Sequence, residues 1–212
     1  RDYGAIRTEG DRLSEFVEKP DSGGFRLINA GVYAFGESVF DAIERTPRRG
    51  GELQLPDVIG TLMDDGPVRA IRTNGLWVDA TYPWDLLFLT RELLSRGRIS
   101  QPESGSGVWV ADSARIHPNA TLQAPVVVGP DAEIAAGAVL GPNVAVGRNV
   151  TIGANATLRD VLLDGDCRIG PGTTLLACVA RETATLGAGA VVPGGPGDVR
   201  VAHHTFGAPR PG

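Results

Sequence analysis

Lysine is almost absent from this sequence. Lys19 is the only lysine among the 20 basic residues, and the others are all arginine. An ammonium group is a compact point charge, whereas a guanidinium group is a planar fork. A lysine at one place in an arginine-rich chain therefore favours a site that needs the compact charge. Coding bias with one accidental lysine is the alternative.

Cysteine is scarce as well, and long apolar runs are missing. The two cysteines, Cys167 and Cys178, favour small buried residues in a reducing, cytoplasmic compartment over a disulfide framework. No apolar stretch is long enough to span a bilayer. The net charge of −5 argues against nucleic acid as a partner. These absences predict a protein with neither a membrane nor a nucleic-acid partner.

A repeat of six residues organises the chain from residue 110 to about residue 192. A helix would repeat every 3.6 residues and a simple strand every two, so neither explains a period of six. Three flat sides that close a triangular coil do explain it, and stacked coils make a parallel β-helix. The aliphatic residues that recur without a break are Val110, Ile116, Leu122, Val128, Ile134, Leu140, Val146, Ile152 and Leu158. Residues three positions later that tolerate a turn or left-handed backbone are Asn119, Asp131, Gly137, Asn143, Asn149 and Asn155.

The repeat predicts a prism over about residues 109–192. After Leu158 the register slips, but the pattern continues. The residues that continue it are Leu163, Ile169, Leu175, Ala180 and Leu186. The residues expected in the centre of the prism are Val128, Ile134, Leu140, Val146 and Ile152.

This stretch resembles the left-handed β-helices of hexapeptide-repeat acyltransferases and sugar-nucleotide enzymes. The left hand is implied by the resemblance, because the general rule for parallel crossovers predicts the opposite hand. The relatives are trimers, so the resemblance also implies a homotrimer formed through the β-helix. A fold does not by itself name a function. A β-helix that only joins subunits therefore stands beside one that carries an active site.

The first hundred residues mix short strands with helices. Two runs at residues 3–7 and 12–18 predict a hairpin, and Pro20 favours an extended backbone at Lys19. Ser38 is suited to cap a short helix, and Pro56 and Pro83 to open two more. Further strands are predicted at residues 27–35, 68–72 and 76–79.

The predicted organisation is α/β followed by all-β. Residues 1–98 are expected to be the C-terminal part of an α/β sheet domain, 99–107 a linker, and 108–212 the β-helix with a tail. The chain opens on Arg1 and already reads as a strand by Tyr3. We therefore expect the natural N-terminus to lie upstream of Arg1.

Four motifs within residues 1–95 resemble those of the sugar-1-phosphate nucleotidyltransferases, in the same order. The first joins Tyr3-Gly4 to the sequence Phe-Val-Glu-Lys-Pro at residues 16–20. The others are residues 29–35, residues 51–57, and residues 75–79 with 82–87. Four motifs in order before a hexapeptide β-helix make a match that covers nearly the whole chain.

The resemblance implies a reaction and a role for each site residue. An oxygen of a sugar-1-phosphate attacks the α-phosphorus of a nucleoside triphosphate, and pyrophosphate leaves. Lys19 would lie against the sugar phosphate, Glu18 and Asn29 would bind sugar hydroxyls or an N-acyl group, and Gly4 would let the backbone approach the sugar. For Glu18, a solvated carboxylate at a strand end is the alternative. Glu18 and Lys19 can serve one site only if their strand ends there, because neighbours on a strand face opposite sides.

Asp79 is the residue implied as the Mg²⁺ ligand. Mg²⁺ commonly takes one or two carboxylates together with phosphate oxygens. The alternative is an acid that caps the helix opening at Pro83. The family often continues Asp-x-Gly, whereas Ala80-Thr81 follows here. The family's glycine-rich triphosphate loop and second metal-binding Asp are absent, so we expect these 212 residues to be inactive alone, and the base and sugar stay open.

A second function belongs to the β-helix. Some relatives are bifunctional and N-acetylate glucosamine-1-phosphate from acetyl-CoA, which needs a histidine base beside a groove. His117 and the pair His203-His204 are the candidates, with a surface histidine and a chain tail as the alternatives. Residues 197–201 lack the segment found in bifunctional relatives, which weakens this hypothesis. A purely structural β-helix that assembles trimers is the third hypothesis.

Overall fold

The computed structural model describes residues 3–20, 24–195 and 200–202. The chain divides into two compact units, the first ending at Trp77 and the second beginning at Val78. No helix within those described ranges has the length and apolar character needed to cross a membrane.

The first unit is built on the predicted hairpin. Strand β1 (Ala5–Glu9) pairs antiparallel with β2 (Arg12–Val17), and β3 (Leu27–Ile28) pairs with the other edge of β1. The hairpin prediction is confirmed. The strand predicted at residues 27–35 is wrong beyond Ile28, because the chain leaves β1 there and turns at Gly31, whose φ is +74°.

Two helices follow in the first unit. Helix α1 (Ser38–Arg45) and helix α2 (Leu55–Asp65) are joined by a hydrogen bond of 2.9 Å between the hydroxyls of Thr46 and Thr61. Pro56 lies in the first turn of α2, as predicted. The prediction that Ser38 caps α1 is wrong: Ser38 is already helical, and Glu37 is the N-cap without a side-chain hydrogen bond.

The strands predicted at residues 68–72 and 76–79 do not form. Residues 68–70 make only isolated contacts with the hairpin, where the Leu13 N–H donates to the Val68 carbonyl and the Ala70 N–H to the Asp11 carbonyl. A strand needs a continuous ladder with a neighbour. No described strand offers one to either segment, and Ile71 is 93% exposed.

The second unit begins with helix α3 (Pro83–Ser95), which Pro83 opens as predicted. Strand β4 (Glu103–Gly105) then pairs antiparallel with β5 (Val108–Val110). The segment predicted as a linker therefore includes β4, which covers the first edge of the β-helix.

The β-helix itself is confirmed: the strands from β5 onward pair in parallel with the strand one coil away. After β5 they are β6 (Arg115–Ile116), β7 (Thr121–Leu122), β8 (Val126–Val128), β9 (Glu133–Ile134), β10 (Val139–Leu140), β11 (Val144–Val146), β12 (Thr151–Ile152), β13 (Thr157–Leu163), β14 (Arg168–Ile169), β15 (Thr174–Ala180), β16 (Thr185–Leu186), β17 (Val191–Pro193) and β18 (Arg200–Ala202).

These strands form three faces. The first face contains β5, β8, β11, the second halves of β13 and β15, and β18. The second face contains β6, β9, β12, β14 and β16. The third face contains β7, β10, the first halves of β13 and β15, and β17.

Aliphatic side chains fill the prism. The five predicted core residues, Val128, Ile134, Leu140, Val146 and Ile152, are all at most 3% exposed. In the first coil, Val110, Ile116 and Leu122 are only partly buried. Of the six predicted turn residues, all but Asn119 have a positive φ; they are Asp131, Gly137, Asn143, Asn149 and Asn155.

The register slip has a structural cause. The sides from Leu158 to Leu163 and from Leu175 to Ala180 are five residues long instead of six. Each is part of one continuous strand, β13 or β15, that bends at a residue of positive φ, Asp160 or Ala177.

Helix α3 packs on this bent region. Leu87 is 2% exposed and lies with Leu162, Ala177 and Val179 in one apolar cluster. The guanidinium of Arg91 donates to the carboxylate of Asp160 at 3.0 Å. The helix is therefore fixed to the first face of the β-helix by apolar burial with one half-exposed ion pair at its side.

The predicted burial of the cysteines is confirmed. Cys167 and Cys178 are unpaired and fully buried in the prism. Burial disfavours the thiolate and raises the pKa of each thiol from 9.0 to about 11. Both thiols are therefore protonated and unreactive at neutral pH.

Candidate functional site

The first unit brings three predicted sugar-binding residues together. The carbonyl of Gly4 accepts a hydrogen bond of 2.7 Å from the backbone N–H of Asn29, just beyond the last paired residues of β1 and β3. A Cβ atom on Gly4 would lie 2.9 Å from the carboxylate of Glu18 and 2.7 Å from the Phe16 ring. Gly4, Glu18 and Asn29 thus form one cluster at the end of the hairpin sheet.

This contact also explains why residue 4 is glycine. Gly4 is buried, and the space that its side chain would occupy is already filled by Phe16 and Glu18 of the same chain. Real Cβ atoms are essentially never found so close to other heavy atoms. A side chain at residue 4 would therefore require Phe16 and Glu18 to move, whether or not a sugar approaches.

The side chain of Asn29 is held by its own loop. Its Oδ1 accepts from the Gly31 N–H at 3.1 Å, and its Nδ2 donates to the hydroxyl of Tyr33. The sequence indicated that an amide in an apolar segment needs partners, and these are the partners. Among the residues that the structure describes, the second N–H of this side-chain amide has no acceptor.

Lys19 and Glu18 follow the end of β2 at Val17. Strict strand alternation therefore does not separate them, which was the condition for both to serve one site. Both side chains are exposed, and Lys19 makes no ion pair with any residue in the described ranges. The extended backbone predicted for Lys19 is wrong, because its φ is +48°.

Asp79 lies in an irregular segment four residues before α3. Its Oδ1 accepts a hydrogen bond of 2.9 Å from the hydroxyl of Thr81. The helix cap is elsewhere: Tyr82 is the N-cap residue, and its N–H donates to Oδ2 of Asp85 at 2.7 Å. The alternative that Asp79 caps α3 is therefore wrong.

The donor chemistry at Asp79 fits a hard cation. Its carboxylate is exposed, with Oδ2 making no hydrogen bond to the residues that the structure describes. Mg²⁺ often binds one protein carboxylate and fills its remaining positions with water and phosphate. No group of three or more His, Cys, Asp or Glu that could hold a metal occurs in the described residues. Asp79 can thus be one ligand of such a site but not the whole of it.

Trp77 contacts residues beside this cluster, and no pattern in the sequence assigned it a role beyond its place in a motif. Its indole N–H donates to the carbonyl of Ala30 at 2.9 Å. Its ring meets the ring of Tyr3 edge to face, with 5.2 Å between centroids. No period or spacing in the sequence signals this contact between residues 47 positions apart.

The β-helix histidine is engaged in a turn. His117 is exposed, and its Nδ1 accepts a hydrogen bond of 3.1 Å from the backbone N–H of Asn119. The bond supports the surface-histidine interpretation, since it gives His117 a local structural role. His203 and His204 lie outside the described residues.

Two family models match different parts of the chain. Residues 1–95 match the model described as nucleotidyl transferase. Residues 122–201 match the model described as GMPPB C-terminal domain. The first match covers the cluster of Gly4, Glu18 and Asn29 together with Lys19 and Asp79, and the second covers most of the β-helix.

Two curated relatives are named as bifunctional proteins. The chain is 36% identical over 92 residues to "Bifunctional protein GlmU" of Methanocaldococcus jannaschii, covering 43% of this chain and 22% of the relative. It is 29% identical over 136 residues to "Bifunctional sugar-1-phosphate nucleotidylyltransferase/acetyltransferase" of Sulfurisphaera tokodaii, covering 63% of this chain and 31% of the relative. The chain thus spans about a quarter to a third of the length of these relatives.

Among solved structures, a hexapeptide transferase family protein from Anaplasma phagocytophilum is 22% identical, with a TM-score of 0.38, covering 48% of this chain and 74% of that one. Both of the relatives described above are named as bifunctional, and the second is named as a sugar-1-phosphate nucleotidylyltransferase. Residues 1–95 are therefore similar to the nucleotidyl transferase family, and residues 122–201 of the same chain are similar to the GMPPB C-terminal domain.

Proposed function

We propose that this chain is part of a sugar-1-phosphate nucleotidyltransferase, which makes a nucleotide sugar and pyrophosphate from a nucleoside triphosphate and a sugar-1-phosphate. The observation that carries the proposal is the cluster of Gly4, Glu18 and Asn29 within the segment that matches the nucleotidyl transferase family. Residues from two of the four motifs meet there. A carboxylate acceptor and an amide, on two residues that both contact Gly4, suit the hydroxyls of a sugar.

The reaction needs positioning and charge compensation more than covalent chemistry. Two anionic reactants must be aligned, and the charge on the transferring phosphoryl group must be offset. Lys19 supplies an exposed ammonium group at the end of β2, next in sequence to Glu18. In the proposed enzyme it binds the sugar phosphate, while Glu18 and Asn29 fix the sugar ring.

Asp79 is proposed as a ligand of Mg²⁺. When bound, the ion neutralises phosphate charge and orients the triphosphate. The part of this chain is to present an exposed carboxylate, one oxygen of which is fixed by the Thr81 hydroxyl. A cytoplasmic location is proposed with this function, because nucleoside triphosphates are made and used in that compartment.

Asp79→Asn tests the proposal. The assay is pyrophosphate release from each nucleoside triphosphate with each sugar-1-phosphate, in an enzyme that also supplies the glycine-rich triphosphate loop. Asn keeps the shape of Asp but loses its charge, so turnover should fall roughly a hundredfold or more while the melting temperature changes little.

Asp85→Ala is the matched control. It removes the acid that caps α3, so it should lower stability by about 1 kcal/mol and leave most of the turnover intact. Near-normal pyrophosphate release from Asp79→Asn would mean that the metal is held elsewhere. No release with any pair of substrates would refute the proposed function itself.

For the β-helix we propose the assembly role, with a homotrimer as its product. Acetyl transfer from acetyl-CoA to glucosamine-1-phosphate is the competing role, which the name of the Sulfurisphaera tokodaii relative keeps in view. The hydrogen bond from Asn119 to His117 weighs against acetyl transfer, since it occupies the lone pair on Nδ1 of the candidate base. Measuring free CoA release with glucosamine-1-phosphate separates the two, and turnover that His117→Ala abolishes would favour the acetyltransferase.

A further inference from the structure

The sugar-binding cluster depends on very little regular structure. Strand β3 contributes only two residues, and the segment that carries Asn29 and Gly31 lies beyond it. The Gly4 carbonyl holds the Asn29 N–H, and Asn29 and Gly31 are bonded to each other. These hydrogen bonds place the backbone of Asn29 against Gly4, but they do not fix the orientation of the peptide that follows Asn29.

Trp77 supplies a contact from a distant part of the chain. Its indole N–H binds the carbonyl of Ala30, the residue between Asn29 and Gly31. Its ring packs edge to face on Tyr3, the residue before Gly4. One side chain therefore contacts the neighbours in sequence of Gly4 and of Asn29, two of the three residues of the cluster.

The two contacts act differently. An edge-to-face aromatic pair holds the rings by their quadrupoles and by buried area, and phenylalanine can keep most of it. The hydrogen bond to Ala30 has a fixed direction, and only the indole N–H can make it. The N–H thus sets the orientation of the peptide that joins Asn29 to its turn, while the ring sets the distance to Tyr3.

We propose that Trp77 is a positioning residue for sugar recognition. It holds the loop of Asn29 at the right distance and angle from Gly4, and it touches the sugar only through those residues. Trp77 also lies two residues before Asp79 in the sequence. The same short segment therefore carries the positioning residue of the sugar site and the proposed metal ligand. This inference rests on the proposed function, since it gives that site its geometry.

The first test uses the 212-residue chain and needs no activity. Trp77→Phe keeps a ring against Tyr3 and removes the N–H. In ¹⁵N-labelled protein, the Gly31 backbone amide and the Asn29 side-chain amide should shift, and their exchange with solvent should quicken. Trp84→Phe is the matched control, because Trp84 is exposed and stacks on Tyr82 instead, so it should leave both signals in place. Parental Gly31 and Asn29 signals in Trp77→Phe would overturn the proposal.

The second test uses the complete enzyme. Losing one neutral hydrogen bond that orients a substrate group should raise KM for the sugar-1-phosphate roughly three- to tenfold, with KM for the nucleoside triphosphate unchanged. A merely structural tryptophan would instead lower the amount of folded enzyme and leave both KM values unchanged. Unchanged KM for the sugar in an active enzyme overturns the role of Trp77 alone. A parent enzyme without transferase activity overturns the proposed function. In that case the NMR result still shows whether Trp77 positions the loop of Asn29.

Discussion

Lys19 holds a left-handed backbone immediately after β2, with φ at +48°. For a residue with a Cβ atom this conformation costs about 1–2 kcal/mol, so it persists where the surroundings impose it. The same turn follows a strand end that frees Glu18 and Lys19 from alternation. The sequence drew attention to Lys19 by composition, but Pro20 suggested the wrong backbone, because the local preference before proline was overridden by the turn.

Lys19→Ala should raise KM for the sugar-1-phosphate by roughly tenfold to a hundredfold, since a hydrogen bond from a charged group is lost. Lys19→Arg should restore the KM only in part, because the guanidinium is larger and planar. Lys19→Gly is the control for the backbone. It removes the same charge but relieves the left-handed strain, so it should match Lys19→Ala in KM and exceed it in stability. Kinetics identical to the parent in Lys19→Ala would exclude Lys19 from the mechanism.

The buried thiols predict how stability depends on pH. The folded pKa of Cys167 and of Cys178 is about 11, above the reference value of 9.0. The unfolded chain therefore loses these protons first, and stability falls as pH rises from about 9 to about 11. Two units correspond to about 3 kcal/mol for each thiol at the end of that window.

Urea unfolding at pH 8 and pH 10.5 measures this effect. The variant with both cysteines replaced by alanine is the control, since it keeps every other titrating group. It should be less stable at pH 8 but lose less stability between the two pH values. Equal losses in parent and variant would contradict the burial of the thiols.

At the scale of elements, the six-residue repeat predicted which residues point into the prism, because each of these residues has the same kind of neighbour one coil away. The five-residue sides were visible only as a slip. The positive φ of Asp160 and Ala177 shows that these sides are continuous bent strands. The packing of Leu87 shows that α3 lies on them. The sequence predicted that a helix opens at Pro83, but not on which surface that helix packs. Short strands such as β3 were overestimated, because their sequence does not reveal how many partners they have.

Replacing Leu87 should weaken the seat of α3 on the β-helix. Leu87→Ala leaves a cavity among Leu162, Ala177 and Val179 and should cost about 2–5 kcal/mol of unit stability. Phe88→Ala is the control next in sequence, since Phe88 is 51% exposed and its loss should cost much less. Urea unfolding followed by circular dichroism compares the two. A larger loss for Phe88→Ala would place the packed face of α3 elsewhere.

A charged residue in the core of the prism should prevent folding. Ile152 is fully buried, so Ile152→Asp would place an unpaired charge among aliphatic side chains at a cost of several kcal/mol. This is comparable with the whole stability of a domain, and the second unit should not fold. Thr157→Asp puts the same charge on an exposed position and should fold normally. Equal melting of Ile152→Asp and the parent would refute the prism.

At the scale of the whole chain, the site and the β-helix differ in how far the sequence could predict them. The β-helix repeats one local pattern, so periodicity alone predicted its extent and its buried residues. The cluster of Gly4, Glu18 and Asn29 is a meeting of segments far apart in sequence, and only the resemblance pointed to it. The hydrogen bond from Trp77 to Ala30 could not be predicted, because neither periodicity nor any motif encodes a single long-range hydrogen bond.

The three faces of the β-helix differ in what they offer to another subunit. The first face carries α3. The second presents charged groups, among them the ion pair of Arg115 with Glu133 and the exposed Arg168. The third presents Val139, Leu176 and Val191 outward, with Val191 64% exposed, and one charged residue, Arg159, in register with Leu176. A mostly uncharged face of this kind suits an interface better than a charged one.

We therefore expect the chain to self-associate as a trimer through the third face. Sedimentation equilibrium at micromolar concentration should give three times the mass of one chain. Val191→Glu places a charge in the proposed interface and should shift the equilibrium toward monomer, whereas Thr185→Glu on the second face should leave the mass unchanged. Dissociation by Thr185→Glu but not Val191→Glu would move the interface to the second face. A parent chain that sediments with the mass of one chain would rule out assembly by these 212 residues, because the sample contains no other protein.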